Sequence, residues 1–244
     1  MLKIRLDKTR KNDELRHIEI IKDFLIYPEG SVLISFGNTK VICNASVEDK
    51  VPPFLKGSGS GWITSEYSMI PRATQDRNVR ESTSGKVSGR NQEIQRIIGR
   101  SLRSAVDLSL LGERTIYIDA EVIQADAGTR CASITGGFVA LVLALRKLKE
   151  YGLIKASPLK YYVAAVSVAI LNDEVILDPN FEEDVVADVD LNIIANENRE
   201  IIEIQGTAEK KPFSKEKLNE ILYIAYIGIE KIIAIQKKVL KLTR

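Results

Sequence analysis

Side chains that could do chemistry gather in three places along this sequence. Gly128-Thr129-Arg130 stands at the head of a long apolar run. At a helix start these three residues offer one anion backbone N–H groups, a hydroxyl and a guanidinium. An ordinary capped helix would use the same residues. Between Asp178 and Asp190 lie Asp178, Glu182, Glu183, Asp184, Asp188 and Asp190, with no basic residue among them. If Asp188 and Asp190 open a strand, they point to one side of it and repel unless a cation or an arginine intervenes. Two or three carboxylates with few other ligands suit magnesium, which keeps much of its water, better than zinc. A solvent-facing acidic loop would have the same composition. From Arg72 to Arg103 run eight basic residues (Arg72, Arg77, Arg80, Lys86, Arg90, Arg96, Arg100, Arg103) against Asp76, Glu81 and Glu93, a net +5. Such a tract suits a polyanion or a solvated surface.

The usual nucleophilic machinery is missing. His17 is the one histidine, and nothing around it supports a Ser-His-Asp triad, a Cys-His pair or a histidine zinc site. There is no Walker-type loop and no dinucleotide fingerprint at a strand-to-helix turn; the glycines from Gly57 to Gly61 lack both the lysine and the helix. Cys43 and Cys131 are far apart and without metal-ligand spacing, which predicts a reduced, cytoplasmic protein. The N-terminus lacks a secretory signal, and the apolar runs read as broken by charge too often to span a membrane.

The elements that must position these residues can be read from pattern. With 244 residues, 45% of them hydrophobic, the chain can fill a sizeable core, and no linker or repeat divides it. Residues 31–36 and 40–45 flank Gly37-Asn38-Thr39, a hairpin signal. A long aperiodic segment then runs from Lys56 to about Ser88 and is expected to be a loop. Ile94, Ile97, Ile98, Leu102 and Val106 recur at helical spacing, with Ser88 as N-cap and Arg90 just inside. Alternation returns at 115–124, followed by an apolar helix from about Ile134 to Tyr151 that Gly152 stops. Residues 161–171 pair with 174–177 about Asn172-Asp173, and 188–195 pair with 201–205. Ser214 caps a final helix, with Phe213 stapled to Leu218 and Lys237, Lys238, Lys241 and Arg244 toward its end. Paired strands alternating with helices predict an α+β layered domain of helices packed on sheets.

Longer strings add a resemblance. Gly61-Trp62-Ile63-Thr64-Ser65-Glu66-Tyr67-Ser68-Met69-Ile70-Pro71-Arg72-Ala73-Thr74, the stretch from Gly85 to Arg103, and Gln124 to Gly136 closely resemble segments of the ribonuclease PH family. Glu183-Asp184 through Asp190-Leu191-Asn192, Gln205-Gly206-Thr207-Ala208-Glu209 and Pro212-Phe213-Ser214 resemble its C-terminal landmarks, and the agreement runs in order from about Asp13 to the last helix. The resemblance implies a single domain over 1–244, of the ribosomal protein S5 domain 2-like kind, in a homohexameric ring of dimers. It implies phosphorolytic 3′→5′ trimming of transfer RNA precursors, with inorganic phosphate as co-substrate, magnesium or another divalent cation as cofactor, and nucleoside diphosphates released. By position it assigns the attacking phosphate to Arg90, Gly128, Thr129 and Arg130, and metal and catalysis to Asp184 and Asp190. RNA contacts fall to Arg72, Arg77, Arg80, Arg96 and Arg100. The alternative it leaves is a catalytic or non-catalytic RNA-binding subunit of an exosome-like mixed ring. Two departures stand out. Arg5-Leu6-Asp7-Lys8-Thr9-Arg10 replaces the usual Arg-Pro-Asp-Gly-Arg, and Ala127 stands where a second glycine is usual. If that position needs a positive φ, alanine strains the loop.

Overall fold

The computed structural model describes Arg5, Leu6 and residues 9–241, without the side chains of Ser82 and Ser84. Asp7 and Lys8 of the departing N-terminal motif, and Arg244, lie outside the described residues. Two sheets carry the architecture. The first has the order β1-β2-β3-β5-β4, built from β1 (Ile18–Lys22), β2 (Gly30–Phe36), β3 (Thr39–Glu48), β4 (Trp62–Met69) and β5 (Thr115–Gln124). The second has the order β7-β6-β8-β9, built from β6 (Val163–Leu171), β7 (Glu174–Leu177), β8 (Val189–Asn196) and β9 (Ile201–Ala208). The helices are α1 (Glu81–Ser84), α2 (Gly89–Ser104), α3 (Thr129–Glu150), α4 (Phe181–Val186) and α5 (Lys215–Lys241).

α3 packs on β2, β3 and β5 of the first sheet and on β6 of the second, while α5 packs on β6, β7 and β8. Cys131 of α3 meets Ser167 of β6, whereas Gly228 of α5 faces Val166. Neighbouring strand residues point to opposite faces, so α3 and α5 cover opposite sides of the second sheet. The layers are therefore sheet, helix, sheet, helix, the α+β arrangement expected. One cluster of buried side chains runs through both sheets. α3 has no charge between Arg130 and Arg146 and is long and apolar enough to cross a bilayer, contrary to the sequence expectation. It is a core helix, 83% buried over its apolar window. β2 reaches it closely: a Cβ on Gly30 would stand 1.9 Å from the Ala140 carbonyl oxygen.

Both predicted second-half hairpins form, as does the β2–β3 hairpin. Ser88 caps α2 by accepting from the Asn91 N–H. Val106 lies beyond the end of α2 but stays buried, bridging to Leu159. A second expectation also fails. Residues 62–69 are not loop but strand β4, paired parallel to β5 across the α2 crossover. Ile63, Ser65 and Tyr67 turn inward, and the inward serine, which donates to the Gln95 carbonyl at 2.6 Å, hides the apolar alternation. α3 also begins at Thr129, five residues before Ile134, because Gly128 turns the chain in a left-handed conformation at its N-cap.

Candidate active site

The C-terminal end of β5 and the N-terminus of α3 open on a cleft of about 760 Å³. Arg90, Gly128, Thr129, Arg130, Asp184 and Asp190 all line it. These are the residues the resemblance assigns to phosphate, metal and catalysis, brought together from α2, α3, α4 and β8.

The turn into α3 is held from several sides. Thr39 Oγ accepts from the Asp126 N–H at 2.9 Å and donates to the Ala127 carbonyl at 2.6 Å. Arg16 donates to the Asp126 carbonyl, and the Asp126 carboxylate accepts from the Phe181 N–H at 2.9 Å, tying this turn to the start of α4. Ala127 and Gly128 are both left-handed, with φ of 57° and 65°. The strain foreseen for alanine is thus present. Left-handed backbone costs an L-residue about 1–2 kcal/mol, and a new glycine returns about 0.4–1 kcal/mol of that to the unfolded chain. Ala127→Gly should therefore raise stability by about 0.5–1 kcal/mol, seen as a thermal midpoint a few degrees higher. An unchanged or lower midpoint would mean the turn carries no strain.

Behind Thr129, the buried Tyr67 hydroxyl lies 2.9 Å from its Oγ. Burial pushes the Tyr67 phenol up in pKa, against the pull of Thr129, Arg90 and Arg130, so it stays protonated and can donate to Thr129. With the tyrosine as donor, the Thr129 proton is left for an anion. Tyr67→Phe should cost about 1 kcal/mol of stability and raise KM for phosphate severalfold. Wild-type phosphate kinetics in this variant would remove Tyr67 from the site.

The acidic run divides in two. Asp178 and Glu183 are buried and paired with arginines, which corrects their reading as cation-binding or solvated. Arg16 grips Asp178 through Nη2–Oδ1 at 2.6 Å and Nε–Oδ2 at 3.0 Å. Arg5 grips Glu183 at 2.6 and 2.9 Å and also donates to the Leu177 carbonyl, while Arg10 reaches the Asp178 carbonyl. Glu183 closes a capping box with Asn180, starting α4. The Asn-x-x-Glu spacing was a readable signal for this helix.

Glu182, Asp184 and Asp190 of this run line the cleft, and the two aspartates are the partly buried ones. Burial raises the Asp184 carboxyl, against the opposing pull of Arg90, Arg130 and Arg16. Burial first, and then Asp184, push Asp190 up to about 6; Arg130 and Asn192 oppose this, and Glu209 adds to it. Asp190 Oδ1 is buried without a hydrogen-bond partner. A buried orphan oxygen beside a second carboxylate fits a hard, partly hydrated cation such as magnesium. No group of three or more His, Cys, Asp or Glu forms a metal cluster among the described residues, so a fully protein-ligated ion is not offered.

The remaining arginines are placed elsewhere. Arg72, Arg77 and Arg80 are exposed on the segment after β4. Its residues Thr74 to Asp76 and Asn78 line the cleft, and Arg80 joins Lys86 and Arg90 along an adjoining groove. Arg96 is exposed on α2 outside the cleft. Arg100 pairs with Glu203 of β9 at 2.7 Å and is likewise not brought to it.

This layered fold is shared with subunits of exosome cores. The Archaeoglobus fulgidus exosome with RNA bound to the active site superposes with a TM-score of 0.79 at 22% identity, covering 94% of this chain and 91% of that one. Rice (Oryza sativa) Rrp46 gives 0.78 at 19% identity, covering 97% and 100%. The 3′ exoribonuclease family matches twice, its domain 1 over residues 14–147 and its domain 2 over 161–228. Ribonuclease PH of Bacillus velezensis (strain FZB42) is 59% identical, and that of Bacillus subtilis (strain 168) 57%, each over 95% of both chains. The chain belongs to the 3′ exoribonuclease family and, within it, to ribonuclease PH.

Proposed function

We propose that this enzyme shortens transfer RNA precursors from the 3′ end by phosphorolysis, with the phosphate held by Arg90, Arg130, Thr129 and the first N–H groups of α3. The observation that carries the reading is the convergence of these groups with Asp184 and Asp190 in one cleft. An oxygen of inorganic phosphate attacks the last internucleotide phosphorus. The bond from that phosphorus to the 3′-oxygen of the preceding nucleotide breaks, and this oxygen takes a proton. The products are an RNA one residue shorter, with a free 3′-hydroxyl, and a nucleoside 5′-diphosphate. Phosphate is itself the nucleophile, so no serine, cysteine or histidine is needed. What the protein supplies is position and charge: a guanidinium fork and a helix terminus aim the phosphate in line and offset the negative charge crowded at the reacting phosphorus.

Asp184 and Asp190 would hold magnesium, which when bound supplies further positive charge to the phosphoryl oxygens. Arg72, Arg77 and Arg80 fit contacts to the RNA backbone or to a neighbouring subunit. Arg96 and Arg100 are weaker candidates, since Arg100 is already paired. The chain would act as one unit within a homohexamer. Two free, buried thiols suit a reducing compartment such as the cytoplasm.

The test is to incubate the purified protein and magnesium with a 3′-extended transfer RNA, with and without phosphate, and to identify what is released. Nucleoside diphosphates that depend on phosphate support the reading. Monophosphates without added phosphate would mean hydrolysis and overturn it.

A further inference from the structure

Arg130 is held from behind. One of its guanidinium N–H groups donates to Gln205 Oε1 on β9, and Gln205 Nε2 donates to Glu93 Oε1 on α2. The carboxylate fixes which way the amide faces. With its nitrogen turned to Glu93, the amide can present only its oxygen to Arg130. A second tie joins the same strand and helix. Arg100 binds Glu203 at 2.7 and 3.2 Å, two residues before Gln205 and so on the same face of β9. Glu93 and Arg100 are seven residues apart on α2, two turns along one face. The strand is thus stapled to the helix beside the relay. Gln205 also pairs in register with Asn192, whose amide donates to Asp190 Oδ2 at 3.5 Å.

The order of the three groups matters electrostatically. A carboxylate directly on Arg130 would orient it well, but would occupy its donors and offset the charge that an incoming phosphate needs. A neutral amide between Glu93 and Arg130 orients the fork and leaves its charge unspent. We infer that Gln205 and Glu93 are positioning residues that set the enzyme's affinity for inorganic phosphate, by aiming Arg130 without neutralising it. The inference rests on phosphorolysis as proposed above.

The test measures initial rates of nucleoside diphosphate release with phosphate varied at saturating RNA, and separately the Kd for RNA without phosphate. Gln205→Glu places a carboxylate on Arg130 and should raise KM for phosphate roughly tenfold or more. RNA affinity should stay within about twofold. Gln205→Met keeps the volume but drops both hydrogen bonds, and should give a smaller rise, about threefold. The double variant Glu93→Gln/Gln205→Glu removes the new repulsion between carboxylates but keeps the charge on Arg130. Its KM should therefore stay high even where thermal stability returns to the wild-type value. Recovery of KM together with stability would assign the effect to folding and overturn the inference. So would wild-type KM in both single variants, or parallel losses of phosphate and RNA affinity. A wild-type enzyme whose rate does not depend on phosphate would instead sink the phosphorolytic reading itself.

Discussion

Arg130→Ala should lower kcat/KM for phosphate by roughly 10²-fold or more and leave RNA affinity within a few fold. Arg130 lines the cleft beside Thr129 and Arg90, where a guanidinium can offer two parallel N–H donors and a full charge to phosphate. Alanine removes both and leaves Arg90 as the one guanidinium of the proposed phosphate set in the cleft. The arginines proposed for the RNA backbone, Arg72, Arg77 and Arg80, do not line this pocket, so RNA binding should largely survive. Arg130→Lys should fall between, since an ammonium restores charge but not the planar fork. Phosphate-dependent trimming of a 3′-extended transfer RNA, with filter binding of the same RNA, separates the two effects. Equal losses in both assays would show that Arg130 is not a phosphate residue.

The residues of that pocket were readable because their chemistry is local. Gly128-Thr129-Arg130 advertises a helix terminus, and Ser88 before the Ile94–Leu102 stripe locates α2 and with it Arg90. The groups that hold them were not readable, because their partners are far away in sequence. Asp178 looks like one more member of an acidic run until Arg16, 162 residues earlier, is seen against it. Glu183 likewise takes its meaning from Arg5. Tyr67 sat in a segment whose strand pattern was masked by the inward-facing Ser65, so its hydroxyl could not be placed beside Thr129. Arg100 shows the same limit from the other side. The resemblance offered it to RNA, and no local pattern showed that it pairs with Glu203 on a distant strand. Local pattern and the family resemblance pointed to the groups that line the cleft; topology alone could identify the groups behind them.

Asp190→Asn should separate stability from activity. Asp190 has its carboxyl pushed up to about 6 by burial and by Asp184, against about 3.9 in an unfolded chain. A folded pKa above the unfolded one means the protonated form fits the fold better. That stability is fully present below pH 4 and is lost as pH rises through 6. At pH 7, without divalent cation, the ionised carboxylate therefore burdens the fold, and an uncharged asparagine should relieve about 2 kcal/mol of this. The advantage of the variant should shrink on acidification from pH 7 to pH 5. Magnesium should reverse the ranking by stabilising the wild type through its carboxylate pair and leaving Asp190→Asn nearly unmoved. Turnover in the variant should fall roughly 10²-fold and resist rescue by added magnesium. Denaturant unfolding in chelator at both pH values, repeated with magnesium and paired with rates, tests every limb. A variant that is less stable than wild type at pH 7 in chelator would contradict the electrostatic burden on Asp190. One that keeps both its magnesium response and its turnover would take Asp190 out of the site.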